Sequence, residues 1–391
     1  MIRLAILGST GSIGESALEV VRRHPDRFRV TALSANRRIA ALAAQVREFS
    51  PAVAVIADDG VGGVPDSGGA THWARGRSAL VELAGRDDVD VVVNALVGAA
   101  GLGPTLLALE TGKRLALANK ESLVAGGSLV LAAARRGGGE LIPVDSEHSA
   151  ILQCMRGSGA RDVARLILTA SGGPFRGWSR EELWDVQPSQ ALRHPTWDMG
   201  SKITIDSATL ANKALEVIEG HFLFGIEYER IEAVVHPQSI VHSFVEFVDG
   251  SLLAQVGDPN MELPILYALT YPGRAEDGAL RTFDPVASSP LTFEKVDHGA
   301  FPLYGLGTGA GARGGLAPAA FNAANEVAVE AFLGEKIRFP EMAEVVARAL
   351  ETAPATEPGG VKEVFEADRE ARRVAREVSE QLQREGSSRK G

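Results

Sequence analysis

Asp145 and Glu147 stand two residues apart in Val144-Asp-Ser-Glu-His-Ser-Ala150, directly after the apolar run Leu141-Ile-Pro143. Two carboxylates this close repel each other unless a cation sits between them, and an oxygen-only donor set suits Mg²⁺ or Mn²⁺. In an extended segment, residues two apart project to the same side, which would bring both groups to one point. An acidic helix-capping turn, with Asp145 or Ser146 capping a helix from 148, accounts for the segment equally well. A third ligand would separate the two readings, and Glu216 is the candidate. In "DSATLANKALEVIEG" (206–220), read as a helix, Asn212, Lys213 and Glu216 share one face at spacings of three and four. Asn212 and Glu216 then stand about 6 Å apart along the axis, at a rise of ~1.5 Å per residue. One end could hold phosphate and the other metal. The rival reading of this helix is a surface ion pair between Lys213 and Glu216.

Other segments carry anion-binding parts. "TASGGPF" (169–175) ends a strand with Ser171 and two glycines, and Ser207 falls near the start of the helix just described. "RHPTWDMGSKITID" (193–206) is a polar loop carrying Trp197 and Met199 between Pro195 and Gly200, the composition of a lid over a water-sensitive reaction. Five of the eight histidines fall between 148 and 242, but without an HExxH pattern they read as hydrogen-bonded core or substrate contacts rather than zinc ligands. At the N-terminus, "AILGSTGSIGESALEV" places Gly8, Gly11 and Gly14 between a strand and a helix, where backbone N–H groups can approach a pyrophosphate. After the second strand no Asp or Glu stands where NAD would need one for its ribose. Asn36, Arg37 and Arg38 stand there instead, and they favour a 2′-phosphate and hence NADPH. Two arginines on a solvated loop is the plainer alternative.

The elements that must position these residues follow from pattern and composition. At 391 residues with 45% apolar content, the chain predicts a soluble globular protein of two or three domains. A formal charge of −10 without a long basic run argues against nucleic acid or an anionic membrane surface as partner. The single cysteine, Cys154, excludes an intrachain disulfide framework, no apolar run is long enough to span a bilayer, and Met1 to Gly8 reads as a strand rather than a signal peptide. These features predict a cytoplasmic protein. The fold expected is α/β, with an N-terminal Rossmann-like doubly wound NADPH-binding domain (1–144) and a central α+β catalytic domain carrying the metal and substrate site and flap (145–270). A linker (271–298), a C-terminal α-helical domain (299–385) and a disordered tail (386–391) complete it. Asp249-Gly250 sits between alternating apolar runs as a hairpin turn.

"GSTGSIG", "LANKES", "VDSEHSA", "TASGGPF", "HPTWDMGSKITIDSATLANKALEVIE", "VVHPQSIVHS" and "AFNAANEVAV" occur in order from residue 8 to about 330. Together they resemble the 1-deoxy-D-xylulose 5-phosphate reductoisomerase family, NADPH-dependent enzymes of the non-mevalonate isoprenoid pathway. The resemblance implies NADPH contacts at Thr10, Gly11, Ser12, Ile13, Asn36, Arg37, Arg38, Asn119, Glu121 and Gly200, and metal at Asp145, Glu147 and Glu216. Substrate would meet Lys120, Ser146, Glu147, Ser171, His194, Ser207, Asn212, Lys213 and Glu216, with Lys120, Glu147 and His194 as the catalytic set. It implies a phosphorylated sugar as substrate and a homodimer, to which the sheet holding "SIVHSFVEFVDGSLLAQVG" would contribute. The family's second-strand motif is often Gly, then Lys or Arg, then Asn, and Asn36-Arg37-Arg38 departs from it. The residues alone would also suit a metal-assisted NADP dehydrogenase of another phosphorylated hydroxyketone, or a non-catalytic NADP sensor.

Overall fold

The structure is a computed structural model that describes residues 1–61, 69–197 and 199–388. Contacts divide the chain into two compact units. The first comprises Met1–Ser122, Leu129–Ser149 and Asn260–Thr282; the second comprises Leu123–Ser128, Ala150–Pro259 and the chain from Phe283 onward.

In the first unit, seven short strands form one parallel sheet: β1 (Ile2–Leu7), β2 (Phe28–Ala35), β3 (Val53–Ile56), β4 (His72–Arg75), β5 (Val91–Asn94), β6 (Arg114–Leu117) and β7 (Glu140–Pro143). Their order is β4-β3-β2-β1-β5-β6-β7, so the chain reverses its direction of travel between β1 and β5. Central strands covered on both faces need continuous apolar sequence, and Leu4 to Leu7 and Val91 to Val93 are buried accordingly. Ligands of such sheets bind at the carboxyl ends of the strands beside that reversal.

The doubly wound expectation holds, but the unit does not end at residue 144. The helix Glu262–Thr270 packs on the helix Ser12–Arg23 and beside β6 and β7. Arg23 pairs with Glu262 at 2.6 Å and with Asp277 at 2.8 Å, and Asp277 also meets Nε2 of His24 at 3.1 Å. A stretch assigned from its proline and polar content to a catalytic-domain end and a linker therefore folds with the first unit. Its anchors lie at the end of the helix Ser12–Arg23, 254 and 253 residues before Asp277, and are invisible to a local reading.

The second unit holds a five-stranded sheet of β8 (Val163–Ala170), β9 (Ile231–Val235), β10 (Val241–Phe247), β11 (Leu252–Val256) and β12 (Glu294–Lys295), ordered β11-β10-β8-β9-β12. The β10–β11 hairpin turns at Asp249-Gly250, where Asp249 accepts from the Ser251 N–H at 2.9 Å and Gly250 takes φ +86°. Four helices follow: Pro302–Arg313, Ala317–Leu333, Glu341–Glu351 and Val361–Ser388. The alanine-rich Ala317–Leu333 is buried along most of its length and packs against the other three. In the long polar last helix, Val364, Ala371, Ala375, Val378 and Leu382 recur at steps of seven, four, three and four, giving one buried stripe. That helix continues to Ser388, past the point where a disordered tail was expected, and residues 389–391 lie outside the described residues. So do residues 62–68, within a glycine-rich stretch around Asp59 to Thr71 whose sequence reads as a surface loop.

The run 206–220, expected as one helix, is divided between two. Ser201–Ala208 and Ala211–Phe224 are separated at Leu210, which takes φ +59°. A left-handed leucine costs about 1–2 kcal/mol, and burial of its side chain, 3% exposed within the core, offsets that. Among the described residues, no helix is long and apolar enough to cross a membrane.

Candidate active site

In the first unit the glycine turn lies at the carboxyl end of β1. Gly8 takes φ +81°, and a Cβ there would stand 2.7 Å from the Ala95 carbonyl oxygen, so the fold itself demands glycine. Gly11 differs. Its φ is −83°, and an added Cβ would meet only the Gly8 oxygen, at an ordinary 3.4 Å. Packing within the chain does not require glycine at 11, which leaves the uncapped N-terminus of Ser12–Arg23 open to close approach of a ligand. Buried Gln45 braces the turn, accepting from Ser9 Oγ at 2.6 Å and donating to the Ser9 carbonyl at 3.0 Å and to Glu15 at 2.8 Å. Nothing in the sequence points to Gln45, because its partners Glu15 and Ser9 lie 30 and 36 residues away. At the end of β2, Asn36 is exposed, Arg37 donates from Nε to Asp58, and Arg38 donates to the Thr10 carbonyl.

Asn119, which precedes the helix starting at Lys120, is fully buried. Its amide donates to the Leu96 carbonyl at 2.9 Å, the Gly98 carbonyl at 3.0 Å and Glu121 at 3.0 Å, fixing the loop after β5. Lys120 is 6% exposed and forms an ion pair with Asp145. The acidic segment is not extended, so the alternation argument for Asp145 and Glu147 fails. A helix, Ser146–Cys154, begins immediately after Asp145. Asp145 at its entry and Glu147 in its first turn still place one oxygen each within 4.8 Å of the other. Ser146 Oγ donates to Glu147, and Nδ1 of buried His148 lies 3.9 Å from Asp145.

In the second unit, Ser171 and Ser207 converge on one imidazole. His194 Nε2 is 3.0 Å from Ser171 Oγ and 3.1 Å from Ser207 Oγ. Nδ1 accepts from the N–H groups of Thr196 at 3.2 Å and Trp197 at 2.9 Å. Two donors onto Nδ1 place the ring proton on Nε2. Burial pushes the His194 pKa down to about 4, so the ring is neutral at pH 7 and offers Nε2–H to the hydroxyl pair. The Gly173 N–H donates to Ser171 Oγ at 3.2 Å. Trp197 and Met199 are half-buried, Gly200 is exposed, and Asp198 lies outside the described residues.

Asn212, Lys213 and Glu216 share a face as their spacing predicts. The Asn212 amide donates to Glu216 Oε1 at 2.5 Å, and Lys213 Nζ to Oε2. This is not a surface pair, since Lys213 is 2% and Glu216 1% exposed. One turn earlier, buried Asp206 pairs with Lys202 at 2.8 Å and accepts from the Asn325 amide at 2.7 Å. Three of the five clustered histidines are satisfied core groups. His221 bonds the Ile226 carbonyl, His236 the Thr292 carbonyl, and His242 the Gly257 carbonyl.

Comparison with known proteins matches residues 4–127 to the family model for 1-deoxy-D-xylulose 5-phosphate reductoisomerase and 141–224 to that family's C-terminal domain. Residues 256–374 match a further C-terminal domain of the same family. The reductoisomerase of Nocardia farcinica (strain IFM 10152) is 52% identical over 381 residues, covering 97% of this chain and 95% of its own. That of Burkholderia pseudomallei (strain 668) is 49% identical over 380 residues, covering 95% of each. The solved structure of the Zymomonas mobilis enzyme in complex with NADPH superposes with a TM-score of 0.91 at 43% identity, over 97% of this chain and 100% of that one. A reductoisomerase in complex with NADPH, fosmidomycin and magnesium gives 0.92 at 40% identity, over 98% and 99%. The chain belongs to the 1-deoxy-D-xylulose 5-phosphate reductoisomerase family.

Proposed function

We propose that this enzyme rearranges 1-deoxy-D-xylulose 5-phosphate to a branched aldehyde phosphate and reduces it to 2-C-methyl-D-erythritol 4-phosphate, using NADPH and Mg²⁺ or Mn²⁺. The observation that carries the reading is the buried Asn212–Lys213–Glu216 face, a carboxylate and two hydrogen-bond donors held ready on one helix. Asp145, Glu147 and Glu216 form the metal-ligand set, an all-oxygen group suited to a hard divalent cation. Asp145 and Glu216 each hold a lysine ammonium, a charge that a divalent ion could share or displace. Bound metal supplies Lewis acidity toward the substrate's carbonyl and hydroxyl oxygens, and bound NADPH supplies the hydride.

Ser171, Ser207, Asn212 and Lys213 anchor the phosphate, and neutral His194 acts as a fixed Nε2–H donor that orients both hydroxyls. Ser146 orients the Glu147 carboxylate, which with Lys120 moves protons on the substrate hydroxyls. The segment 193–200, with Trp197 and Met199, covers the reacting centre. Thr10 to Ile13, Asn36 to Arg38, Asn119, Glu121 and Gly200 form the cofactor site. In the cell the enzyme works in the cytoplasm as a homodimer.

NADPH oxidation on adding 1-deoxy-D-xylulose 5-phosphate to chelator-treated protein tests this. Turnover is expected only after Mn²⁺ or Mg²⁺ is restored. Oxidation with other phosphorylated hydroxyketones but not with this substrate would establish a different dehydrogenase.

A further inference from the structure

At the carboxyl ends of β2 and β3, two consecutive arginines are held in different ways. Arg37 donates from Nε to Asp58, two residues past β3. Asp58 is itself fixed: its Oδ1 accepts from the Gly60 N–H at 2.8 Å, and its own N–H donates to the Asn36 carbonyl at 3.3 Å. The Arg37 side chain is 76% exposed, against 22% for Asp58. Arg38 instead donates from Nη1 to the Thr10 carbonyl, tying the loop after β2 to the glycine turn after β1 in a part-buried contact.

We propose that the two arginines divide the labour of cofactor recognition: Arg37, aimed by Asp58, reads the 2′-phosphate, while Arg38 is a positioning residue that holds the glycine turn and does not discriminate. This rests on the NADPH reading above and deepens it. A guanidinium carries its donors in a planar fork, and engaging Nε leaves the Nη pair for a bidentate phosphate contact. An untethered arginine at an exposed edge would lose rotamer freedom when the phosphate arrives, and the Asp58 contact removes part of that loss beforehand. The opposing effect is repulsion between the Asp58 carboxylate and the phosphate. The guanidinium lies between the two anions and water screens the exposed edge, so preorganisation outweighs repulsion. The Thr10 carbonyl needs only a hydrogen-bond donor and no charge, which agrees with a positioning role for Arg38 rather than a charge-reading one.

Titration of the metal-free protein with NADPH and with NADH, followed by protein fluorescence, gives the ratio of the two dissociation constants. Arg37→Ala should lower that ratio about tenfold or more, the loss of a charge-assisted phosphate contact. Asp58→Asn should lower it about threefold to tenfold, through weaker NADPH binding with NADH unchanged. Arg38→Met should weaken both cofactors alike and keep the ratio within about twofold. Arg38→Gln, whose amide still reaches a carbonyl, should recover affinity without its charge, and serves in its place if the methionine variant melts early. A collapse of the ratio in either Arg38 variant, or tighter NADPH binding in Asp58→Asn, overturns the division. Equal affinity of the unsubstituted protein for NADPH and NADH overturns the NADPH reading itself.

Discussion

At the residue scale, the site is built from groups whose environment fixes their state before any ligand arrives. Glu216 is buried, and Lys213 and Asn212 are bonded to it from its own helix, an arrangement that a local spacing of three and four encodes. Glu216→Gln keeps the volume and the bond to Asn212 but deletes the charge. Turnover should fall at least about a hundredfold, in line with loss of a metal ligand or of its support. NADPH affinity should stay within about twofold, because nothing near Gly8 to Gly14 changes. Parallel activity assays and cofactor titrations check both, and a large loss of NADPH affinity would count against the assignment. Spacing made this face legible, and the glycine turn likewise. The hydroxyl pair on His194, the Gln45 brace and the Asp58 tether were not legible from spacing, since each joins residues 13 to 36 apart whose neighbourhood is set by strand order or loop closure.

At the element scale, one short helix positions much of the proposed phosphate site. Ser201–Ala208 ends beside Ser207 and is tied through Asp206 to Asn325 on the helix Ala317–Leu333. The motif "AFNAANEVAV" was recognisable in the sequence, but the reason for its second asparagine emerges only when the buried Asp206 carboxylate is found 119 residues away. Asn325→Ala leaves that carboxylate with Lys202 alone and should cost about 2–3 kcal/mol, the penalty of an under-satisfied buried charge. Urea unfolding measures this, and a loss below about 0.5 kcal/mol would show the tie to be incidental. Because Ser207 moves with the helix, KM for the substrate should rise more than kcat falls. The break at Leu210 was missed for a related reason: helical periodicity continues through 207–224, and only tertiary burial makes the left-handed leucine affordable.

At the scale of the whole molecule, buried histidines set an acid limit. Burial pushes His242 down to about 4, helped by nearby His236 and Lys213, and burial alone does the same to His194. In the unfolded chain both rings take up protons below about 6.5. Between that value and about 4 the unfolded state therefore binds more protons than the folded one, so stability is fully present above pH 6.5 and is lost as pH falls toward 4. The melting temperature of the metal-free protein should drop between pH 7 and pH 5, before most carboxylates titrate. His242→Gln should flatten that slope; an unchanged slope in the variant would place the acid sensitivity elsewhere.

Assembly belongs to the same scale. The edge strand β11 presents Leu252 at 50% exposure, Leu253 at 47% and Val256 at 39%, next to Val248 at 69% in the hairpin turn. Alternating residues of a strand face opposite sides, so this apolar surface spans both faces as well as an open backbone edge, which soluble proteins ordinarily blunt with charge or cover. A second copy of the chain is the cover proposed here. Sedimentation at micromolar concentration should therefore give twice the 41.2 kDa chain mass. Leu253→Lys places a charge on the edge without removing a core contact, and it should shift the protein toward monomer while the fold is retained by circular dichroism. If the unsubstituted protein sediments as a monomer, the strand is simply an exposed edge and the dimer proposal fails.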